Sequence, residues 1–515
     1  EEKWYPKGYE KYRRQWVDFA FSENPEDLFS LLEQTNGGVS NTVSRDKKGI
    51  INLNHYMPVR VLLYDLFGIK PIKVKGKIGS DKDVRGKILK KLEEGSPQRE
   101  LLLKLNHLSH IDQCCKLYLV PYLEMLDPDT GRLYPRISAQ LATRRMSMSD
   151  PNQQQMSKRG DSVYVRGFIL PDYDDHVIIG ADWSSIELVI PAEFSGDPEM
   201  LKCFSRIPYD DLHAITAATL LGLTLEAFKS IKKLPETATS FQGIEFKTRD
   251  GVVKTPQDFY KYARTEYGKG GNFNYWFSGA LGTVAERLGL SSEEMWKLVE
   301  KYRALFAVAE AWRVNTIGFA QANGYVQLPD GHRRERFEAT PLWAQLMLEK
   351  FKQLGGGAAV LHFGQEFISR WQRRARNQSV NALVQGSAAS LAKKSMIRLC
   401  REIGQRWTER QCHFMFPIHD ELVSSVHRDL ALDYTKLIRA CMTEHPDDFK
   451  RVKLNVAVSM GRNFEPFHPV NAPQGQIELD EAPQLPFVPA EEVGGSMSAD
   501  TIVKTVKYLF GEEIA

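Results

Sequence analysis

The chain has 515 residues, 42% of them hydrophobic, which is enough for a sizeable core and roughly two to four domains. Its formal net charge of +3 is close to neutral, so any affinity for a polyanion has to come from local basic patches. No apolar run reaches the length of about 18 residues that a transmembrane helix needs, so the sequence predicts no membrane-spanning helix.

The six cysteines show no metal-binding or redox pattern. They include no CxxC pair and no His at the spacing of a zinc site. We therefore expect reduced thiols in an intracellular protein and no structural zinc. The cysteines lie at positions 114, 115, 203, 400, 412 and 441.

The N-terminal region, residues 1–135, is predicted to be mainly helical, because Leu and Lys recur at helical spacing over residues 98–126. Within it, residues 70–91 are strongly basic, with nine Lys or Arg against two Asp. Such a segment is either a solvated loop or a surface that binds a phosphate backbone. The candidate phosphate-binding residues are Lys73, Lys75 and Lys77.

The middle of the chain alternates between strand-like and helix-like segments. Residues 176–181 form a short apolar run that ends at Asp182, which is typical of a buried strand, and a helix is predicted from Ser184. Residues 224–262 are polar and irregular, as in an insertion. Residues 266–289 have a helical pattern that contains several glycines.

Two further strand signals follow toward the C-terminus. Residues 413–427 are predicted to form two strands joined by a tight turn that contains His419, Asp420 and Glu421. Residues 454–460 alternate between apolar and polar positions like another strand.

From Phe467 onward the sequence changes character. Residues 467–497 are rich in Pro, Gly and acidic residues, so we expect a linker that packs no core of its own. Ser498 is predicted to cap a short amphipathic helix over residues 499–510. That helix needs an apolar surface, either on the same chain or on another protein. Its apolar residues are Ile502, Val503, Val506, Leu509 and Phe510.

Asp182 and Asp420 stand where predicted apolar strands end. A charge at such a position costs several kcal/mol unless it is paired or bound to a cation. For a lone Asp, a helix cap or a salt bridge is the ordinary explanation, and two such residues do not by themselves exclude it. The residues around them decide the question.

Those residues resemble the motifs of the family A DNA polymerases. The segment from Asp182 to Glu187, with the sequence DWSSIE, is similar to their motif A, and His419-Asp420-Glu421 is similar to their motif C. Further matches follow the family's order over residues 50–466, and several matches in order leave little room for chance. They are residues 143–154 (TGRxSSxxPNLQ in the family), 324–334 (GYVxTxxGRRR), 381–389 (NxxxQGxAA), and the short matches at 130–132 and 461–463.

The resemblance implies an α+β fold shaped like a right hand, in which an antiparallel palm sheet carries the carboxylates between helical fingers and thumb. It also implies template-directed transfer of dNMPs to a primer 3′ end during DNA replication. The implied divisions are an N-terminal segment and thumb (1–135), palm (136–212 and 366–466), fingers (213–365, with an insertion at about 222–260) and a Pro-rich acidic tail (467–515).

The same resemblance implies a mechanism with two Mg²⁺ ions. Two such ions about 4 Å apart would activate the primer 3′ hydroxyl and stabilise the leaving pyrophosphate. Hard cations of this kind take oxygen ligands. By resemblance, Asp182, Asp420 and the main-chain carbonyl of Trp183 hold the metals. Glu421 is then an ancillary carboxylate, and His419 lies near the primer end.

Lys269, Phe273 and Phe277 recur at i, i+4 and i+8, so they share one helix face. The spacing alone is typical of a core stripe, but the stretch also resembles the family's motif B, RxxxKxxNFxxxYG. By resemblance, Lys269 contacts the triphosphate and Phe273 stacks by the incoming nucleotide. Phe277 then takes the place of the usual Tyr near the templating base.

Three other nucleotide contacts follow less directly from the resemblance. His213 is similar to a family histidine that contacts phosphate, and Ser185 stands where the family usually has Gln. The motif B arginine of the family falls on Thr265, whereas Arg264 lies one residue earlier, about 100° round an ideal helix. Either the helix starts differently here or another Arg reaches the triphosphate.

Glu187 resembles the residue that keeps out ribonucleotides, because a carboxylate packed against Phe273 would fill the space of a 2′ hydroxyl. Polar residues of the other motifs match family positions that contact primer and template. Such groups reach minor-groove acceptors present on every base pair, which suits binding without sequence preference. They are Arg145, Asn152, Gln154, Arg333, Asn381 and Gln385, together with His419.

Two other functions remain open from the sequence. A single-subunit RNA polymerase shares the fold and both Asp, although Glu187 argues for deoxynucleotides. A non-catalytic DNA-binding replisome protein could keep the fold, although binding alone does not require Asp182, Lys269 and Asp420 together. We expect an intracellular monomer, in the cytoplasm or nucleoid, whose partners are primer–template DNA, dNTPs and, through the tail, other replication proteins. The loose motif matches favour a divergent or viral member, which would act in the host cytoplasm.

Overall fold

The computed structural model describes residues 9–20, 55–74, 77–158, 162–248, 252–273, 291–355, 357–479 and 498–513. Contacts between residues divide the chain into two compact units. The first comprises residues 1–136 and 148–166, and the second comprises residues 137–147 and 167–515. All six cysteines are free thiols.

The first unit is mainly helical, as the sequence predicted. Its helices are α1 (Tyr9–Ala20), α2 (Tyr56–Arg60), α3 (Lys82–Leu89), α4 (Pro97–Cys114) and α5 (Val120–Met125). Two of them continue as π-helix, α2 into Val61–Leu66 and α4 into Cys115–Leu119. The fully buried side chains of Val84, Ile88 and Leu102 fix α3 and α4 in one core.

Within the described residues, the basic segment contains two short paired strands and a helix. Strand β1 (Lys73–Val74) pairs antiparallel with β2 (Lys77–Ile78). Asp81 then caps α3, because its carboxylate accepts a hydrogen bond from the Val84 amide at 3.0 Å.

Among the described residues, the second unit contains the remaining helices and most of the strands. Two short strands, β3 (Arg136–Ser138) and β4 (Ser147–Ser149), lie at the unit boundaries. The other strands are β5 (His176–Trp183), β6 (Ser240–Phe241), β7 (Ile244–Glu245), β8 (Tyr325–Gln327), β9 (Arg333–Glu335), β10 (Cys412–Ile418), β11 (Glu421–His427), β12 (Val456–Gly461) and β13 (Ile477–Glu478).

The described residues of the second unit also form twelve helices. They are α6 (Ile186–Ser195), α7 (Pro198–Phe204), α8 (Leu212–Leu221), α9 (Leu225–Ser230), α10 (Pro256–Ala263), α11 (Gly270–Phe273), α12 (Ser292–Leu305), α13 (Ala307–Asn323), α14 (Pro341–Gln353), α15 (Gly357–Arg406), α16 (Ala431–Thr443) and α17 (Ala499–Leu509). Among the helices that the structure describes, none alone is long and apolar enough to cross a bilayer. Helix α8 and residues 225–233 reach that length and composition only as a pair bent by 101°.

The largest sheet has five antiparallel strands in the order β10–β11–β5–β12–β13. Its central strand is β5, in which Val177, Ile178, Ile179 and Ala181 are fully buried. Apolar side chains on both faces of one strand require cover on both faces, which is why this run lies in the middle of the sheet. The strands predicted around residues 176–181, 413–427 and 454–460 are therefore confirmed.

The region predicted to be irregular, residues 224–262, has a core of its own, so that prediction was wrong. It contains α9, the β6–β7 hairpin and α10. Phe228, Phe246 and Phe259 are buried there, and the ring of Phe228 stacks on Tyr260 at 4.6 Å between centroids. The aromatic residues are spread among polar ones without a regular period, so only the tertiary fold reveals that they meet.

The tail begins to pack earlier than predicted. Strand β13 pairs with β12, and Ile477 and Leu479 are buried in the main core. The backbone approaches very closely at Gly475, where an added Cβ would lie 2.4 Å from the Glu465 carbonyl oxygen. The expectation of a coreless linker is therefore wrong for residues 467–479, and residues 480–497 lie outside the described residues.

The predicted C-terminal helix forms and docks on its own chain. Ser498 caps α17 by accepting a hydrogen bond from the Thr501 amide at 3.1 Å. Ile502, Val506 and Leu509 are buried in the core that also contains α16. Of the two surfaces open to this helix from the sequence, the structure shows the intramolecular one.

We predict that Ile502→Ala lowers the free energy of unfolding by about 2–5 kcal/mol, because it empties a fully packed site. Val503→Ala is the matched control on the same helix, since Val503 is 44% exposed, and should change stability by less than about 0.5 kcal/mol. Thermal unfolding of both variants measures the difference. Equal effects would mean that α17 does not pack this way in solution.

Candidate active site

The two candidate carboxylates lie side by side where two neighbouring central strands of the main sheet end. This end of the sheet forms its carboxylate edge. Asp182 is the second-last residue of β5, and Asp420 lies in the two-residue turn between β10 and β11. Glu421 pairs in register with Asp182, and the Trp183 amide donates a hydrogen bond to the Asp420 carbonyl at 3.4 Å. The antiparallel pairing of β5 with β11 thus brings Asp420 beside Asp182, although the two residues are 238 positions apart in the sequence.

The chain turns sharply beside both carboxylates. Ser185 and His419 adopt positive φ angles of 54° and 53°, a conformation that costs a residue other than glycine roughly 1 kcal/mol or more. Strain of this kind tends to lie at functional sites. Ser185 begins α6, and His419 is exposed in the β10–β11 turn, next to Asp420.

Negative charge accumulates around Asp420. Burial raises the pKa of Asp420 to about 6, Arg145 opposes this shift, and the carboxylates of Glu187 and Asp182 add to it. The Asp420 side chain is only 19% exposed. Like charges held this close at the end of a buried strand favour either a proton or a bound cation.

These groups suit a hard divalent cation. The donors at this edge are carboxylate and carbonyl oxygens, which Mg²⁺ prefers. Within the described residues, no three His, Cys, Asp or Glu side chains converge as a complete protein-only metal site. Asp182 and Asp420 would therefore leave coordination positions for water or substrate, which is usual for Mg²⁺.

Glu421 lies over the face of the sheet rather than at its edge. It is 4% exposed, and a Cβ added to Gly180 would lie 2.9 Å from its Oε1. The same added Cβ would lie 3.2 Å from the Ser459 hydroxyl. Glycine at position 180 of β5 therefore makes room for this carboxylate. The role of Glu421 as an ancillary carboxylate remains a prediction from the resemblance.

An ion pair joins the predicted sugar-selecting residue to the metal-binding edge. Arg145 donates a hydrogen bond from Nη2 to Glu187 Oε1 at 2.8 Å, and the same nitrogen lies 3.6 Å from Asp420 Oδ2. Glu187 is in the first turn of α6 and its side chain is 17% exposed. Sequence reasoning assigned Arg145 to DNA and missed this pair, because nothing in the sequence links residues 42 positions apart.

Trp183 anchors the strand end to the helical layer. Its side chain is 5% exposed, and its indole Nε1 donates a hydrogen bond to the Met442 carbonyl at 2.9 Å. The side chain is thus structural, which is compatible with the prediction that its main-chain carbonyl serves as a ligand.

A π-helix between α10 and α11 contains Arg264, the displaced candidate for the motif B arginine. Lys269 follows Arg264 by five positions, a spacing that in an α-helix would put the two side chains about 140° apart. Residues Arg264–Lys269 instead form π-helix, whose i→i+5 hydrogen bonds bring residues five apart close to the same face. Arg264 Nε also donates a hydrogen bond to Asp211 Oδ2 at 2.6 Å. Arg264 stays a candidate for the family's arginine, and its contact with the triphosphate remains a prediction.

His213 is held neutral in a buried network. Burial first, and then Arg264 and Lys269, lower its pKa to about 4, with Asp211 opposing. Its Nδ1 lies 3.0 Å from the Asn272 amide nitrogen. The α8 backbone passes so close that a Cβ on Gly268 would lie 2.1 Å from the His213 carbonyl oxygen. Gly268, one of the glycines in the helical pattern at residues 266–289, is therefore required for packing.

Asn272 organises this network and was missed by sequence reasoning. It is fully buried, and its Oδ1 accepts hydrogen bonds from Thr216 at 3.1 Å and Tyr302 at 2.8 Å. The signal was available, since Asn272 is the Asn of the motif B pattern. The side chain of Phe273 and all of Phe277 lie outside the described residues.

The predicted DNA contacts fall in both units. In the first unit, Asn152 Oδ1 accepts a hydrogen bond from the Gln154 amide at 3.1 Å. Lys73 is exposed there, whereas Lys75 and the side chain of Lys77 lie outside the described residues. In the second unit, Asn381 and Gln385 are half-buried on α15.

Two of these second-unit residues have informative surroundings. Asn381 Oδ1 is buried without a hydrogen-bond partner among the described residues, an arrangement that calls for a functional explanation. The guanidinium of Arg333, on exposed strand β9, lies 4.5 Å from the Tyr325 ring centroid. Both remain predictions as DNA contacts.

The sheet, its hairpin turn and its paired carboxylates have the architecture of a polymerase domain. The fold is similar to the polymerase domain of Pol1 from M. smegmatis, solved with a DNA primer-template and dNTP. The TM-score is 0.60 at 20% identity, over 88% of this chain and 66% of that one. The predicted right-hand α+β fold is therefore confirmed.

The family model described as DNA polymerase family A matches residues 26–244 and 244–466. The chain belongs to this family, as the motif resemblance predicted. It is 26% identical to the thermostable DNA polymerase I of Thermus filiformis over 80% of this chain and 41% of that protein. DNA polymerase I of Chloroflexus aurantiacus is 24% identical over 87% of this chain and 40% of its own length. The chain thus spans about two fifths of these relatives.

Proposed function

We propose that this protein is a template-directed DNA polymerase that adds dNMPs to a primer 3′ end. The observation that carries the proposal is the meeting of Asp182 and Asp420 at the register-matched ends of β5 and β11. Non-catalytic DNA binding would not explain why a protein keeps carboxylates together at a buried strand end, where burial first and then the neighbouring carboxylates raise the pKa of Asp420.

The other residues have roles around this pair. When bound, two Mg²⁺ ions held by Asp182, Asp420 and the Trp183 carbonyl would activate the 3′ hydroxyl and neutralise the leaving pyrophosphate. Arg264 and Lys269 bind the triphosphate through their charge. His213 is neutral, so it contacts phosphate as a hydrogen-bond donor.

The remaining site residues hold nucleotide and DNA in place. Glu187 excludes the ribose 2′ hydroxyl, and Ser185, Phe273 and Phe277 contact the incoming nucleotide and templating base. Glu421 supports the carboxylate pair. The residues proposed to contact primer and template are Arg145, Asn152, Gln154, Arg333, Asn381, Gln385 and His419.

The proposed subdomains follow from these roles. Residues 1–135 include the thumb, residues 136–212 and 366–466 form the palm, and residues 213–365 form the fingers. We propose that the protein acts inside the cell as a monomer on primer–template DNA and dNTPs. Because α17 buries its apolar face on its own chain, we no longer assign that face to another replication protein.

A primer-extension assay tests the proposal against both alternatives. Extension with dNTPs that requires Mg²⁺ and stops with EDTA is expected. An RNA polymerase would prefer rNTPs, and a DNA-binding protein would extend nothing with either substrate.

A separate prediction concerns the basic hairpin. Replacing Lys73, Lys75 and Lys77 with Ala should flatten the slope of log affinity for primer–template against log salt, because each lost phosphate contact removes about 0.9 from it. Product length per binding event should fall, whereas single-turnover chemistry should change little. An unchanged slope would assign these lysines to an ordinary solvated surface.

A further inference from the structure

Arg144 stands where the family pattern for residues 143–154 has Gly, and the proposed site gives it no role. Its φ is 63°, in the left-handed region that glycine adopts freely. An Arg adopts this conformation only at a cost in free energy. A side chain that brings such a cost to this position is expected to make a contact that offsets it.

That contact is an ion pair with the turn of the β8–β9 hairpin. Arg144 donates a hydrogen bond from Nη1 to Asp330 Oδ2 at 2.6 Å. The two side chains are 28% and 23% exposed, so the pair is more shielded than an ordinary surface salt bridge. Although burial raises the pKa of Asp330, hydrogen bonds from the His332 amide, Arg144 and Ser390 lower it below its ordinary value. Asp330 is therefore a carboxylate at neutral pH.

The hairpin turn holds this carboxylate at a fixed place on helix α15. Ser390 of that helix donates a hydrogen bond from Oγ to Asp330 Oδ2 at 2.8 Å. The hairpin also packs on the helix at Gly386, where an added Cβ would lie 2.7 Å from Leu328 Cδ2. The Leu328 amide closes the turn by donating to the His332 carbonyl at 2.8 Å. Arg144 thus pairs with a well-anchored partner.

The stretch of chain around Arg144 depends on such polar contacts for its position. Every residue from 137 to 145 is at least partly exposed, so no buried apolar side chain fixes this stretch. Besides the Arg144 ion pair, Lys393 of α15 donates a hydrogen bond to the Ala139 carbonyl at 3.2 Å. The place of Arg145, the next residue, follows from these contacts.

We propose that Arg144 is a positioning residue that, through its ion pair with Asp330, holds Arg145 against Glu187 and so sharpens the choice between deoxyribonucleotides and ribonucleotides. The inference rests on the proposed polymerase function, because it takes Glu187 to be the residue that meets the sugar. Arg145 donates a hydrogen bond to Glu187 at 2.8 Å, and such a bond weakens steeply when its donor turns away. Because a rigid peptide plane joins Arg144 to Arg145, movement of the first displaces the second.

A purely structural ion pair is the competing explanation, and Arg144→Gly separates the two. Gly relieves the backbone strain, so the variant should fold with a melting temperature close to that of wild type. A structural ion pair would then leave nucleotide selection unchanged. If Arg144 positions Arg145, the same well-folded variant should lose selectivity.

The main measurement is the ratio of kcat/KM for a dNTP to that for the matching rNTP on one template. Arg144→Gly should lower this ratio roughly threefold to tenfold, the size of a coupling between contacting residues. Arg144→Lys keeps the charge and should retain most of the ratio. Asp330→Ala should match Arg144→Gly, and the two changes together should lower the ratio no further, because both remove the same ion pair.

A double-mutant cycle tests whether the effect passes through Arg145. In an Arg145→Ala background, adding Arg144→Gly should change the ratio by less than about twofold, since the residue to be positioned is already absent. Lys394→Ala is the matched control. It breaks a different ion pair of α15, with Asp448 at 2.6 Å, and should leave the ratio unchanged.

Amide hydrogen exchange gives a readout that needs no catalysis. Without DNA, nucleotide or Mg²⁺, the amides of residues 139–146 should be less protected in Arg144→Gly and Asp330→Ala than in wild type or Lys394→Ala. A wild-type protein that extends no primer would overturn the proposed function and the sugar selection that depends on it. Exchange would still decide whether Arg144 fixes the segment that carries Arg145.

Two results would overturn the inference. One is a folded Arg144→Gly variant that keeps the wild-type ratio. The other is a full additional loss when Arg144→Gly is combined with Arg145→Ala, because independent effects would show that Arg144 acts by a route other than Arg145.

Discussion

Replacing Asp420 with Asn is expected to abolish primer extension and, at the same time, to raise the melting temperature of the metal-free protein. Extension should fall by about 1000-fold or more, because several kcal/mol of transition-state stabilisation depends on this carboxylate. Binding of primer–template should remain largely intact. Asp182→Asn should have the same effect on extension.

The gain in stability follows from the pKa of Asp420. Its pKa rises from an ordinary value of 3.8 to about 6 in the folded protein, so ionisation is less favourable there than in the unfolded chain. This group therefore contributes stability that is fully present below its ordinary pKa and is lost as pH rises through about 6. Asn carries no charge at any pH, so the variant should be the more stable protein at about pH 8 and lose that advantage near about pH 4.

Melting curves in EDTA across this pH range measure the effect. Added Mg²⁺ should stabilise wild type more than Asp420→Asn, because a ligand that binds the folded state stabilises it by mass action. Glu421→Gln is the matched control and should be milder in extension, since Glu421 lies over the sheet face by Gly180. If Asp420→Asn extends primers within tenfold of the wild-type rate, Asp420 is not a metal ligand.

Local patterns allowed much of this site to be predicted. The apolar run at residues 176–181 is typical of a buried strand, and the strand–turn–strand pattern over residues 413–427 placed Asp420 in a hairpin turn. Once both segments are strands, antiparallel pairing brings Asp420 beside Asp182. The motif resemblance then identified the chemistry that this edge supports.

What the sequence did not reveal depends on long-range contacts. The ion pair between Arg145 and Glu187 and the hydrogen bonds around Asn272 join different elements. The π-helix at Arg264–Lys269 is a backbone choice stabilised by its tertiary setting, including the ion pair of Arg264 with Asp211. The core of α9 and α10 was missed because its aromatic residues follow no helical or strand period.

Replacing Glu187 with Ala is expected to lower the preference for dNTPs over rNTPs by about 100-fold, the size of discrimination that one misfitting small group provides. The side chain is 17% exposed and is fixed by Arg145 at 2.8 Å, so it cannot swing aside without breaking that pair. Its removal opens the space that a 2′ hydroxyl needs. The ratio of kcat/KM for the two substrates, measured on one template, reports the change.

Two further variants decide whether volume or charge does the selecting. Glu187→Gln keeps nearly all the volume of the side chain but removes its charge, and Arg145→Ala removes the partner while leaving Glu187 in place. If Glu187 acts by filling space that Arg145 fixes, Gln should keep most of the selectivity, and Arg145→Ala should lose part of it by freeing the carboxylate. If charge repels the ribose, Gln should behave like Ala. A selectivity ratio unmoved by Glu187→Ala would show that another residue excludes ribonucleotides, and would leave the Arg145 pair as a restraint on Asp420 alone.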